Sequence, residues 1–89
     1  MAAYVYMLRC ANGSLYTGWT NDLQRRLARH RSGAGAKFTH AFKVVELVYY
    51  EELASQHEAM HREYELKQLR KSQKEELVRQ FRAAREKSE

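Results

Sequence analysis

Residues 4–19, Tyr-Val-Tyr-Met-Leu-Arg-Cys-Ala-Asn-Gly-Ser-Leu-Tyr-Thr-Gly-Trp, decide the fold. Two runs rich in aromatic and β-forming residues, 4–10 and 15–19, are separated by Ala11-Asn12-Gly13-Ser14. Asn-Gly between such runs is a strong hairpin signal, because both residue types tolerate positive φ. The first two strands are therefore expected to pair antiparallel. Tyr4 and Tyr6 share one face of the first strand by the period of two, and Tyr16 lies in its partner. Gly18 inside a strand marks a bulge or a close approach. Strands favour aromatics, so these tyrosines by themselves read as packing residues.

Working outward, Thr20 or Asn21 can cap a helix that runs to about His30, with Leu23 and Leu27 as its apolar ridge. Ser32-Gly33-Ala34-Gly35 breaks it. A third strand reads at 44–50 (VVELVYY), and the pattern does not specify its partner. Two more helices follow, each opened by a Ser-x-x-Glu capping box, Ser55 with Glu58 and Ser72 with Glu75. The second carries Leu77, Val78, Phe81 and Ala84 and grades into a charged tail expected to fray. The order β-β-α-β-α-α defines an α+β domain, a small three-stranded, mainly antiparallel sheet flanked by helices. One domain is expected over residues 1–89, with its core at about 4–80.

Eighty-nine residues leave room for one domain and a small core. The formal charge is +5, from 16 Lys and Arg against 11 Asp and Glu, and it is unevenly spread. Residues 1–45 hold seven basic side chains and one acid, Asp22, whereas residues 46–89 hold nine basic and ten acidic. A concentrated positive half favours a polyanion, since each neutralised phosphate releases condensed counterions. No apolar run approaches the ~20 residues that cross a bilayer, and the N-terminus lacks a secretory pattern, so a cytoplasmic protein without membrane partners is expected. The lone Cys10 offers neither an internal disulfide nor a zinc spacing and reads as a buried thiol at a strand end.

Charged residues on apolar helix faces point to a site. At 100° per residue, Arg26 falls ~60° from Leu23 and His30 ~20° from it, while Arg25 and Arg29 point away. An inward arginine either snorkels to solvent or serves a polar cleft. In the helix after Ser55, Ala59, Met60, Leu66 and Leu69 form the apolar arc, and Glu63 lies ~40° from Ala59, inside it. A carboxylate there either pairs with an inward arginine or holds a hard cation such as Mg²⁺. Two misplaced charges of opposite sign suggest one shared polar site. His57-Glu58-Ala59-Met60-His61 matches the H-E-x-x-H zinc-peptidase pattern. Both histidines, however, lie ~160° from Ala59, on the solvent face, and Glu58 already belongs to a capping box. A metallopeptidase is rejected in favour of a solvated histidine pair.

In order along the chain, these residues resemble the GIY-YIG nuclease module. Tyr4-Val5-Tyr6 and Tyr16-Thr17-Gly18 stand where the two signature triplets stand, with Arg26 and His30 following in the family's register. Glu58 to Lys67 resembles the helix that carries the family's metal-binding glutamate, which falls on Glu63. The resemblance covers about residues 4–80 and is strongest to short stand-alone bacterial members, which share the 33–37 loop and the 44–51 strand. Tyr4 replaces the first signature glycine and Thr17 the isoleucine. The stretch His40-Ala41-Phe42-Lys43 lacks the arginine-rich, proline-ended run expected there, and the late asparagine of some homing endonucleases has no equivalent.

The resemblance implies metal-dependent hydrolysis of DNA phosphodiester bonds. Glu63 would anchor a divalent cation, Mg²⁺ or Mn²⁺, and Arg26 would offset charge on the phosphoryl oxygens. Tyr6 would help deprotonate the attacking water and Tyr16 would orient water or phosphate. His30 would either assist as a base or position Tyr6. Arg25, Arg29, Lys37 and Lys67 are the expected DNA contacts. By analogy with larger members the substrate would be branched or repair-intermediate DNA, and with no second module, specificity would come from DNA shape, from a protein partner, or be absent. The alternative is a DNA-binding module on the same fold with weak or no catalysis. A nuclease needs the cation, whereas a binder shifts DNA equally in chelator. A purely structural protein leaves Arg26 and Glu63 unexplained.

Overall fold

The computed structural model describes residues 2–87. Strand β1 (Ala3–Cys10) turns into β2 (Leu15–Thr20) through a tight reversal. The Cys10 amide donates to Ser14 O at 2.9 Å and the Gly13 amide to Cys10 O at 2.9 Å. Gly13 takes φ +85°, and among the described residues no non-glycine takes a positive φ. The turn is thus a three-residue loop whose left-handed position falls on Gly13 alone, while Asn12 accepts the Ser14 amide with its side chain at 3.1 Å.

Helix α1 (Leu23–Arg31) and a short helix α2 (Lys37–Ala41) lead to β3 (Val44–Leu53), followed by α3 (Gln56–Lys67) and α4 (Lys71–Lys87). The sheet order is β2-β1-β3, with both pairings antiparallel. The α+β class and the element order expected from the sequence are borne out, with α2 as an added turn and a half of helix inside the expected loop. β1 sits in the centre and divides its side chains by alternation. Val5 and Met7 face α3 and α4 and build the main core with Val48, Tyr49, Leu66 and Val78. Tyr6 points to the other face, where it meets His30 of α1. Cys10 is buried, as expected, and burial pushes its thiol pKa upward.

Local details differ from the sequence reading in four places. Asp22, not Thr20 or Asn21, caps α1 by accepting the Arg25 amide at 3.1 Å, while Thr20 Oγ1 accepts the Asp22 amide. Ser55 caps α3 as expected. The Ser72 box does not form, because α4 already begins at Lys71 and the Gln73 side chain accepts the Arg70 amide instead. Met60 is exposed rather than part of the apolar arc, which narrows to Ala59, Leu66 and half-buried Leu69. The helix continues into the charged segment through Lys87, and the last two residues of the tail expected to fray lie outside the described residues.

Glu75, freed from capping, makes a two-pronged pair with Arg9 of β1, both N–O distances being 2.6 Å. Arg9 and Lys71 also donate to Gly13 O, so the start of α4 is fastened to the hairpin turn. The Arg9 hydrogen bonds hold the Glu75 carboxyl below its ordinary range. A carboxyl depressed on folding contributes stability above its unfolded pKa of ~4.3 and loses it as pH falls through the lower folded value. Glu75→Ala is therefore expected to cost about 1–2 kcal/mol at pH 7, or roughly 5–10 °C in Tm. In paired melts the gap from the unmodified chain should close at acid pH; a gap of constant size would assign the stability to something else.

Candidate active site

Gly18 opens the site by what it lacks. Tyr6 pairs across the ladder with Gly18, and the Tyr6 ring lies over that glycine. A Cβ at position 18 would stand 2.6 Å from the Tyr6 hydroxyl and 2.9 Å from its Cζ. The close approach read from the sequence is thus a side chain crossing the sheet, with no bulge in the β1–β2 register. Tyr6 is only 2% exposed, and its hydroxyl lies 2.8 Å from His30 Nε2.

The direction of the bonds is assigned by giving each buried donor an acceptor. Thr39 Oγ1 donates its single hydrogen to Ala36 O at 3.2 Å. In the arrangement that gives every buried donor here an acceptor, it accepts from His30 Nδ1, 2.8 Å away. His30 is then protonated on Nδ1, and its Nε2 lone pair accepts the Tyr6 hydroxyl proton. Burial, followed by the charge of Arg26, lowers the His30 pKa and keeps the ring neutral. Burial, reinforced by Tyr16, pushes the Tyr6 phenol far above its ordinary value, with Arg26 opposing and Glu63 adding. Gly35 makes room for this arrangement, since a Cβ there would fall 2.4 Å from His30 Nδ1 and 2.9 Å from its Cα.

Thr39→Val should release the imidazole from this tautomer, because Nδ1–H would be left buried without an acceptor at a cost of about 1–3 kcal/mol. Nitrogen NMR of His30 should show the proton moving to Nε2 in Thr39→Val and remaining on Nδ1 in Thr39→Ser. An unchanged tautomer in the valine variant would show that Thr39 does not set it.

Tyr16 completes a ring cluster, its centroid 5.0 Å from His30 and 6.4 Å from Tyr6. Arg26 is half-buried and, among the described residues, has no carboxylate partner. It lines a polar cleft with Thr20, Asn21, Asp22, Arg25 and Arg29. Glu63, on α3, is 22% exposed and pairs with Lys67 at 3.2 Å rather than with an arginine. Both Arg26 and Glu63 act electrostatically on the Tyr6 hydroxyl, so the two charges that stood out on helix faces share one neighbourhood. Lys37 is exposed at the start of α2 and Lys67 is exposed at the end of α3. His57 and His61 face solvent, with His61 3.7 Å from Glu65.

A hard divalent cation suits Glu63. Among the described residues no cluster of three or more His, Cys, Asp or Glu could surround a metal. A half-buried carboxylate whose ion pair is with a flexible lysine fits an ion that keeps several waters and takes further oxygens from a phosphate.

Thr39, Gly35, Phe38 and Phe42 around the site escaped the sequence reading. Gly35 lay in a Gly-Ala-Gly stretch that reads as a loop, and an isolated threonine carries no sequence signal for a buried acceptor.

The GIY-YIG catalytic domain model matches residues 2–76. The chain is 48% identical to a UPF0213 protein of Bacillus pumilus, over 93% of this chain and 85% of that one. It is 49% identical to one from Natronomonas pharaonis, over 84% and 88% respectively. The solution structure of a UPF0213 protein from Bacillus halodurans superposes with a TM-score of 0.56 at 47% identity, covering 88% of this chain and 83% of that one. A protein from E. faecalis superposes at 0.62 with 35% identity, covering 93% and 88%.

Proposed function

Because the chain belongs to the GIY-YIG catalytic domain family, we propose that it is a metal-dependent endonuclease that hydrolyses DNA phosphodiester bonds. The observation that carries this reading is the directed chain from Tyr6 through His30 to Thr39, set beside Arg26 and Glu63. Burial of the phenol already calls for an acceptor; the placing of that bond beside Arg26 and Glu63 is what favours chemistry over packing.

Glu63 would hold the cation, which when bound polarises the scissile phosphate and eases departure of the leaving oxygen. The phenol is a poor base on its own, since burial holds its proton. His30 Nε2 removes that obstacle: as Tyr6 accepts a proton from the attacking water, it passes its own to His30. The water oxygen forms the new P–O bond, one bridging P–O bond breaks, and the departing oxygen is protonated in turn. Arg26 disfavours a charged His30 in the free protein, and a phosphate seated beside Arg26 offsets that charge. Substrate binding thereby raises the readiness of His30 to take the proton. The planar donors of Arg26 suit the charge developing on the phosphoryl oxygens, and Tyr16 orients water or phosphate. Arg25, Arg29, Lys37 and Lys67 would meet the flanking backbone.

The test is cleavage of end-labelled single-stranded, duplex, flap and four-way-junction DNA with Mg²⁺, Mn²⁺ or EDTA. Cutting that requires the cation is expected. Binding without cutting under every condition would overturn the reading in favour of a DNA-binding module.

A further inference from the structure

Phe38, on the helix whose Thr39 is buried against His30, and Phe42, which caps the C-terminal end of that helix, are exposed at 37% and 41%. Their rings lie 5.0 Å apart, and Phe38 stacks on Tyr16 with centroids 6.0 Å apart and planes at 29°. A continuous run of rings therefore leads from buried Tyr6 and His30 through Tyr16 to solvent. Residues 23–45, which contain both phenylalanines, hold six Lys and Arg and no Asp or Glu. Lys37 and Lys43 bracket the pair, and both are exposed.

Exposed aromatic faces inside an acid-free basic segment fit a ligand that is anionic along its length and flat at its sides. We infer that Phe38 and Phe42 form a stacking platform for unpaired bases of single-stranded DNA, held one or two nucleotides from the phosphate at Tyr6 and Arg26. This assignment rests on the nuclease reading for its register and names the substrate class of that site. Base–aromatic stacking tolerates any sequence, because every base has a π-face. In an intact duplex those faces are covered by neighbouring bases, so the platform engages only single strands, gaps and frayed ends. A second copy of this chain is a poor occupant, since it would bring the same positive segment against itself.

Binding is measured in EDTA, so that the outcome does not depend on cleavage. Oligodeoxynucleotides carrying 2-aminopurine report stacking by fluorescence quenching, with a matched duplex and a matched RNA alongside. The single DNA strand is expected to bind at least about 10-fold more tightly than the duplex. Phe42→Leu should weaken it about 10-fold and reduce the quenching, whereas Phe42→Trp should restore both. Equal affinity for strand and duplex, an inert Phe42→Leu, or tighter binding of RNA would each overturn the assignment. Sedimentation of the free protein covers the other occupant: a dimer dissolved by Phe42→Leu would mark a self-association surface instead. Cation-dependent cutting of duplex with no response to Phe42 would sink the platform and leave the nuclease. Strand binding that responds to Phe42, without cutting in any metal, would do the reverse.

Discussion

Glu63→Ala is expected to lower cation-dependent DNA cleavage roughly a thousand-fold while shifting Tm by only a few degrees. The small stability change follows from the surroundings of Glu63, whose only ion pair among the described residues is an i,i+4 contact with half-exposed Lys67, worth a few tenths of a kcal/mol at most. The large rate change follows from its solitude: among the described residues no further carboxylate cluster could hold the ion in its place. Arg26→Ala should be comparably damaging, about 10²–10³-fold, as for loss of one donor to a developing oxyanion. Arg26→Lys should recover part of this, since it keeps the charge and loses the planar fork. Metal titrations separate the two sites. The Glu63 variant should need far more Mg²⁺ or Mn²⁺ for its residual activity, and the Arg26 variant the same amount as the unmodified chain. Full turnover in either alanine variant would remove that residue from the mechanism.

Gly18→Ala is expected to damage both stability and activity, although it adds a single methyl group. Two Tyr6 atoms would lie under 3.0 Å from the new Cβ, and Tyr16 Cε2 at 3.2 Å. The Tyr6 ring is enclosed at 2% exposure and cannot swing away freely. Overpacking of this kind costs about 1–3 kcal/mol, or roughly 5–20 °C in a domain of this size. Any relief moves the hydroxyl off His30 Nε2, so cleavage should fall even at temperatures where the fold survives. Adding Tyr6→Phe deletes the nearest clashing atom, and the double variant should melt above Gly18→Ala alone. Additive losses in this cycle would mean that the clash is absorbed elsewhere.

The hairpin, the third strand and the long helices were legible because their signals are local: Asn-Gly between β-forming runs, and Ser55 before an apolar arc. The pairing of β3 was not, since β1 meets it across some forty residues with two register irregularities. Arg26 and Glu63 were legible as charges on apolar faces, which is a property of one helix at a time. Their relation to Tyr6 is a property of the sheet crossing at Gly18. The direction of the hydrogen bonds depended on Thr39, in a five-residue helix with no side-chain cap and too short to show periodicity. Glu75 showed the opposite failure, where a sound local motif yielded to a stronger distant partner, Arg9.

The hydrogen-bond chain at the site ends on the Ala36 carbonyl, an acceptor with no proton to pass on. The relay is therefore a cul-de-sac with room for one proton. On the proposed reading, a proton that reaches His30 has no rear exit, because Nδ1 keeps its own and Thr39 has already spent its hydrogen on the carbonyl. It must return through Tyr6, the door by which it entered, onto the departing oxygen or a new water. On that same reading each turnover would carry a built-in reset, with a second cut beginning only after the first has returned its proton.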